Sequence, residues 1–270
     1  MNKNGLKYAF SVIENEIIYS IDMIRIRVEI MDKKLDNLFR VYLKDDEYKN
    51  VVYKENRKEL SFRHFATCQY KNDKVLKMMY YLNGVSNDKR HMGYIEFNPN
   101  SFAGLNEFWD DFEILKSYFP YKEIVRFDIA IDIPIIRNKV AMLKDNRIYT
   151  SYRKSALDFT ETLGKRNNVG RVKLYNKTIE SSLDYDLTRL EVTADLHNIN
   201  LPKVYDLRNI KYSEDDLIKA ILKNDQITLA LADLSLYKRS KIIKFLRENE
   251  IKFCDECINK AIEFVEKVVN

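Results

Sequence analysis

The chain has 270 residues, of which 46% are hydrophobic and 32% are charged. This composition supplies enough apolar side chains for a folded core and excludes an intrinsically disordered chain. With only 6 glycines and 4 prolines, the chain is neither collagen-like nor of low complexity. The formal net charge of +5 is too small to indicate nucleic-acid binding by itself.

The cysteines and the first residues indicate the compartment. Three cysteines do not make a disulfide framework, and Cys254-Asp-Glu-Cys257 has only half of a zinc-ribbon spacing. The three histidines form neither an HxH nor an HExxH motif. The opening MNKNGLKYAF lacks the apolar segment of a secretory signal, and no apolar run approaches a membrane span. We therefore predict a cytoplasmic protein with reduced thiols and no contact with a membrane.

Alternation of apolar and polar residues dominates the first two hundred positions. Residues 24–30 alternate cleanly and predict a strand, and a helix is predicted over about 32–43. Residues 50–83 hold strand-like pieces of uncertain type. Residues 94–98 alternate again, and 101–118 have the pattern of an amphipathic helix.

The second half begins with the same order of elements. Residues 126–133 predict a strand that ends at Pro134, and further strands are predicted over 170–177 and 187–195. From Ser213 onward the apolar period becomes helical. The helices predicted there cover 214–222, 234–249 and 254–269.

These elements predict an α+β fold with antiparallel sheet and helices packed on one face. The repeated order of strands and helices favours two similar halves, about 1–120 and 121–212, in one domain over 1–212. Residues 213–270 are predicted to be a helical C-terminal region.

Side chains on a strand alternate between its two faces, so each strand presents one polar row. The polar row of 126–133 contains Asp128 and Asp132, and that of 187–195 contains Arg189, Glu191 and Thr193. The polar row of 170–177 is Arg171, Lys173, Tyr175 and Lys177. Such rows are typical of the solvent face of an antiparallel sheet. Acids gathered opposite bases could also hold a divalent cation beside a phosphate.

Geometry limits which acids could share one ion. Asp128 and Asp132 would be roughly 13 Å apart along an unbroken strand, so they cannot both ligate one metal ion. Neighbouring strands are about 4.8 Å apart, so one aspartate and Glu191 make a feasible pair. Glu180 faces away from Tyr175 unless the strand ends or bulges before it.

Basic residues are concentrated in one part of the chain. Residues 137–177 contain eleven bases and three acids, a net charge of +8, which exceeds that of the whole chain. A basic segment with interleaved tyrosines is typical of nucleic-acid binding, because the cations contact the phosphate backbone and the tyrosine rings stack on nucleobases. A second basic cluster, Lys238, Arg239 and Lys241, lies on a predicted helix and suits either a solvated face or contact with phosphates.

Four segments in this order resemble a known family: RFDIAID at 126–132, IYTSYRKS at 148–155, RVKLYNKTIE at 171–180 and TRLEV at 188–192. They resemble the Rep_trans-type replication initiation proteins of rolling-circle plasmids, whose relatives include some conjugative relaxases. The resemblance covers about 120–195, whereas the N-terminal half matches only in strand order.

The resemblance implies a DNA nickase that cuts one strand at an origin with a tyrosine and keeps the 5′ phosphate covalently. It implies Tyr175 as the nucleophile and Lys177 as a charge-stabilising group. It also implies Mg²⁺ or Mn²⁺ on acids drawn from Asp128, Asp132, Glu180 and Glu191. The DNA-binding residues that we predict are Arg126, Arg153, Lys154, Arg171, Lys173, Arg189, Lys238, Arg239 and Lys241. The implied partners are double-stranded origin DNA, single-stranded DNA, a host helicase and a second copy of the chain.

Several alternatives stay open from the sequence. Tyr149 and Tyr152 are rival nucleophiles, because Ser151-Tyr152 replaces the family's Gly-Ser after the tyrosine of the second segment. A phenol with a pKa near 10 is a weak nucleophile at neutral pH, and lysines on either side of Tyr175 would favour its phenolate. A relaxase that starts conjugative transfer fits equally, and a non-catalytic DNA-binding replication regulator needs the bases but not the acids.

Overall fold

A computed structural model describes residues 9–31, 34–35, 37–38, 43–55, 64–70, 75–80, 90–210, 212–223 and 227–270. The protein has an α+β fold, as the sequence predicts. Its strands are β1 Ser11–Glu14, β2 Ile17–Met31, β3 Lys49–Glu55, β4 His64–Tyr70, β5 Val75–Tyr80, β6 Arg90–Phe97, β7 Tyr121–Ile133, β8 Val140–Met142, β9 Tyr149–Arg153, β10 Phe159–Leu163, β11 Val172–Asn176, β12 Thr188–Ala194 and β13 Val204–Asp206. Its helices are α1 Asn106–Ser117, α2 Lys177–Ser181, α3 Tyr212–Leu222, α4 Ile227–Ala232, α5 Leu236–Glu248 and α6 Asp255–Val269.

The structure corrects several predicted elements. The strand expected over 170–177 ends at Asn176, because the side chain of Asn176 accepts a hydrogen bond from the backbone N–H of Ile179 and begins α2. Lys177 is therefore helical and not part of the strand's polar row. The sequence reading missed β10, β13 and α4. Of the helix predicted over 32–43, only 34–35, 37–38 and 43 are described; the first four of these are helical and the rest lies outside the described residues.

One compact unit contains the described residues within 9–11, 20–129 and 259–270. Its strands follow the order β3-β4-β5-β6-β2-β7. The core between this sheet and α1 is aromatic. The ring of Phe97 lies 5.4 Å from that of Phe108 and 4.8 Å from that of Phe112, and Phe108 stacks on Phe102 at 3.7 Å.

The second compact unit contains residues 12–19 and 130–258, so β7 passes from the first unit into the second after Ile129. Its strands follow the order β7-β12-β11-β10-β9, and β8 pairs with β13. Leu174, Leu190 and Val192 are fully buried on one face of the sheet. The domain boundary near residue 212 stays a prediction.

The turn between β10 and β11 depends on a glycine. Gly164 has a φ of +87°, and an added Cβ would lie 3.2 Å from the Cα of Arg171. Glycine adopts this backbone region without steric cost, whereas other residues rarely do. The backbone N–H of Gly164 donates to the carbonyl of Ile148 at 2.8 Å, and that of Gly170 donates to the carbonyl of Thr193 at 2.8 Å. These two hydrogen bonds tie both ends of the turn to the sheet.

We expect Phe108→Ala to lower the free energy of unfolding by about 3–5 kcal/mol, because it leaves a cavity among the rings of the α1 core. Ile114, which is 50% exposed on the same helix, is the matched control, and Ile114→Ala should change stability by about 0.5 kcal/mol at most. Urea denaturation followed by circular dichroism measures both. Equal, small effects would contradict the assignment of Phe108 to the core.

Candidate functional site

The register of β11 and β12 decides which polar side chains meet. Lys173 lies opposite Glu191, and Tyr175 lies opposite Arg189, in an antiparallel pair. Directly opposite residues share a sheet face. The prediction that these four side chains share the face opposite Leu174 and Leu190 is confirmed.

Tyr175 lies at the centre of this polar face. Its hydroxyl donates to a carboxylate oxygen of Glu191 at 3.5 Å. The ammonium of Lys173 lies 3.6 Å from the same oxygen and 4.0 Å from the centre of the Tyr175 ring. Tyr175 is 5% exposed, so a DNA phosphate reaches its hydroxyl only after neighbouring side chains move. The phenol, a carboxylate that accepts its hydrogen bond and a cation thus lie within one small cluster.

Two of the other predicted acids, Asp132 and Glu180, are engaged by bases. Asp132 accepts two hydrogen bonds from the guanidinium of Arg189, at 2.6 and 2.7 Å, and both side chains are about nine-tenths buried. Glu180 pairs with Lys177 at 2.5 Å within α2. Asp128 lies on the part of β7 that belongs to the first unit.

The four predicted metal ligands are not gathered into one cluster in the described part of the chain. Among the residues that the structure describes, no group of three or more Asp, Glu, His or Cys side chains could hold a metal ion. Asp132 would have to release Arg189, and Glu180 would have to release Lys177, before either could ligate one. Glu191 is the acid beside Tyr175. The four predicted metal ligands stay predictions.

Tyr149 lies on the other face of the sheet from Tyr175. It pairs with Leu163 on β10, whereas Lys173 pairs with Thr162, one position away and therefore on the opposite face. The Tyr149 hydroxyl donates to Glu161 at 2.7 Å. Burial, together with Glu161, raises the pKa of Tyr149 to about 12. Its phenolate is therefore less available than that of an ordinary tyrosine, which disfavours it as the nucleophile.

Tyr152 lies on the same face as Tyr175. It pairs with Thr160 on β10, and Thr162, two positions along that strand, pairs with Lys173. Two strand spacings make the backbones of Tyr152 and Tyr175 roughly 10 Å apart. Tyr152 is 65% exposed, so it is far more accessible to DNA than Tyr175. Of the two rivals, Tyr152 is the one that the fold leaves in reach of a substrate on this face.

The predicted DNA-binding residues differ in exposure. The exposed ones are Arg153, Lys154, Lys238 and Lys241. The less exposed ones are Arg126, Arg171, Lys173, Arg189 and Arg239. The guanidinium of Arg239 donates to the carbonyls of Leu231 and Ala232, at 3.1 and 2.8 Å. The exposed residues are therefore better suited to phosphate contacts than the less exposed ones, and all nine assignments stay predictions.

Sequence reasoning missed a buried ion pair on the Tyr149 side of the sheet. Arg137 is completely buried, and its guanidinium donates to Glu161 at 2.5 Å and to the carbonyl of Val140 at 2.8 Å. Burial lowers the pKa of Arg137, and Glu161 opposes that shift. The guanidinium also lies 3.9 Å from the centre of the Phe159 ring. No local pattern marked the pair, because 24 residues separate its partners.

Comparisons with known proteins find only weak similarity, to solved structures. No protein-family model and no curated protein matches the chain. The solved structure of a rolling circle replication initiator protein from Geobacillus stearothermophilus is similar with a TM-score of 0.38 and 15% sequence identity. The match covers 66% of this chain and 74% of that one. Within the described ranges, no helix is both long enough and apolar enough to cross a membrane.

We expect Glu161→Ala to destabilise the protein by about 3–5 kcal/mol, because it leaves the guanidinium of Arg137 buried without its counter-charge. Glu180→Ala removes a carboxylate from a much more exposed pair and should cost at most about 1 kcal/mol. Chemical denaturation measures both variants. An equal cost for the two would contradict a structural role for the Arg137–Glu161 pair.

The raised pKa of Tyr149 predicts a loss of stability in alkali. The protonated phenol is favoured in the folded protein, so its contribution is complete below the ordinary pKa near 10 and disappears as pH rises through about 12. Tyr149→Phe should therefore reduce the fall in unfolding free energy over this range. Urea denaturation at a series of pH values measures the difference, and indistinguishable pH profiles for the variant and the unmodified protein would contradict it.

Proposed function

We propose that the protein is a DNA nicking–joining enzyme that initiates rolling-circle replication, with Tyr175 as its nucleophile. The observation that supports this proposal is the position of the Glu191 carboxylate. It accepts a hydrogen bond from the Tyr175 hydroxyl and lies beside the Lys173 ammonium. The four-segment resemblance over residues 126–192 supports it independently. The proposed substrates are double-stranded origin DNA and the single strand released from it.

The cluster supplies the groups that a transesterification needs. In the proposed step, Glu191 takes the phenolic proton while the oxygen of Tyr175 forms a bond to phosphorus. The bond from phosphorus to the 3′ oxygen breaks, and that oxygen leaves with a proton taken from water. Lys173, 4.0 Å from the ring, favours the phenolate by opposite charge. The 5′-phosphotyrosine keeps the energy of the broken ester, so a 3′ hydroxyl reverses the step without ATP.

One observation favours a second candidate, a non-catalytic DNA-binding replication regulator. Tyr175 is 5% exposed, whereas the exposed bases Arg153 and Lys154 lie on the surface of the same unit. Binding without cleavage needs these bases but no accessible phenol. A relaxase of conjugative transfer would use the same nicking step. The expected second copy of the chain and the host helicase stay predictions.

We expect the protein to nick supercoiled DNA that carries its origin and to form a covalent adduct that Tyr175→Phe abolishes. Tyr149→Phe should retain the adduct, because Tyr149 lies on the other sheet face and is held by Glu161. Mass spectrometry of the peptide linked to a suicide oligonucleotide identifies the tyrosine. An adduct on Tyr152, or full activity of Tyr175→Phe, would overturn the assignment of Tyr175. Salt-sensitive DNA binding with no cleavage in any metal would favour the regulator instead.

The metal requirement is a separate prediction. Following the resemblance, we propose that nicking requires Mg²⁺ or Mn²⁺, and the measurement is adduct yield with each ion and with EDTA. Because Asp132 is held by Arg189, Asp132→Asn should reduce yield if it must exchange that partner for the ion. Equal yields with and without EDTA would exclude a metal-dependent step.

A further inference from the structure

A basic cavity opens on the sheet face opposite Tyr175. Its volume is about 620 Å³, within the range typical of small-molecule sites. Tyr149, Ser151 and Glu161 line it from β9 and β10, with Lys219 from α3 and Lys223 just after the end of that helix. Because strand side chains alternate, this cavity is separate from the Tyr175 cluster within the same unit.

The lining of the cavity is strongly positive. Four bases line it, Lys139, Arg153, Lys219 and Lys223, against the single carboxylate of Glu161. The charge of that carboxylate is already balanced by buried Arg137, which donates a hydrogen bond to one of its oxygens. The other oxygen accepts a hydrogen bond from Tyr149. The remaining field therefore favours an anion with several negative charges.

Two features make the cavity a built site rather than an open basic surface. The guanidinium of Arg153 lies 4.6 Å from the centre of the Phe159 ring, so stacking orients it before any ligand arrives. About half of the lining is apolar, with Met142, Leu207 and Leu222 among its residues. An apolar wall beside several cations, of which Arg153 is oriented by stacking, matches a ligand that has both a flat organic part and phosphates.

We propose that this cavity binds a nucleotide, with its phosphates against Lys139, Arg153, Lys219 and Lys223 and its nucleoside against the apolar wall. The nucleotide is either free or part of a single strand, since both carry the same chemistry. This inference does not depend on the proposed nicking activity, because none of these residues belongs to the Tyr175 cluster.

Isothermal titration calorimetry of the full chain with ATP, adenosine and a short oligothymidylate tests the proposal. We expect ATP to bind and adenosine to bind at least about tenfold more weakly, because only ATP presents phosphates. Lys219→Ala/Lys223→Ala should weaken ATP binding by about tenfold or more. Both lysines are exposed, Lys219 on α3 and Lys223 just after it, so the double variant should fold, and its melting temperature checks that.

The matched control is Lys260→Ala/Lys267→Ala, which removes the same charge from exposed positions on α6. It should bind ATP as the unmodified protein does. A competition titration distinguishes a free nucleotide from a nucleotide within a single strand. If the oligothymidylate displaces ATP, the cavity binds a nucleotide of a strand; if it does not, the cavity binds a free nucleotide. Absence of ATP binding, or an equal loss in both double variants, would overturn the proposal.

Discussion

The alternation of side chains across β9, β10, β11 and β12 is the constraint on which the chemistry of the second unit depends. Each strand turns one row of side chains to each face, and the antiparallel register decides which rows meet. On one face this arrangement brings Tyr175 to Glu191, and on the other it brings Tyr149 to Glu161. A shift of one residue in a single strand would exchange its two rows and separate the pair to which that strand contributes.

The two faces thus carry the same trio of residue types, but the two trios differ in how deeply their basic residue is buried. Each trio has a tyrosine, a glutamate and a base, yet Arg137 is fully buried whereas the Lys173 side chain is 29% exposed. Buried Arg137 holds Glu161 through a short charged hydrogen bond, which fixes that trio as part of the framework. Lys173 lies 3.6 Å from Glu191 and has a flexible stem, so its trio is held less rigidly.

The sequence predicted those parts of the site that depend only on local alternation. The polar rows of β11 and β12, with Lys173, Tyr175, Arg189 and Glu191, follow from single strands and are correct. The helical position of Lys177 was not predicted, because the side chain of Asn176 ends the strand. The sequence also does not predict that Tyr149 and Tyr175 lie on opposite faces of the sheet. β10 joins β9 to β11, and without it the faces of those two strands cannot be related. The Arg137–Glu161 pair joins distant segments, and a fully buried guanidinium is unusual.

The turn that begins at Gly164 has a practical consequence for labelling this protein. Residues 165–169 are exposed, and backbone hydrogen bonds at Gly164 and Gly170 hold both ends of the segment to the sheet. An inserted epitope or fluorophore peptide would project into solvent there, since anchored ends and an exposed tip tolerate added chain. The insertion must leave position 164 as glycine, because any Cβ there would press on the backbone of Arg171.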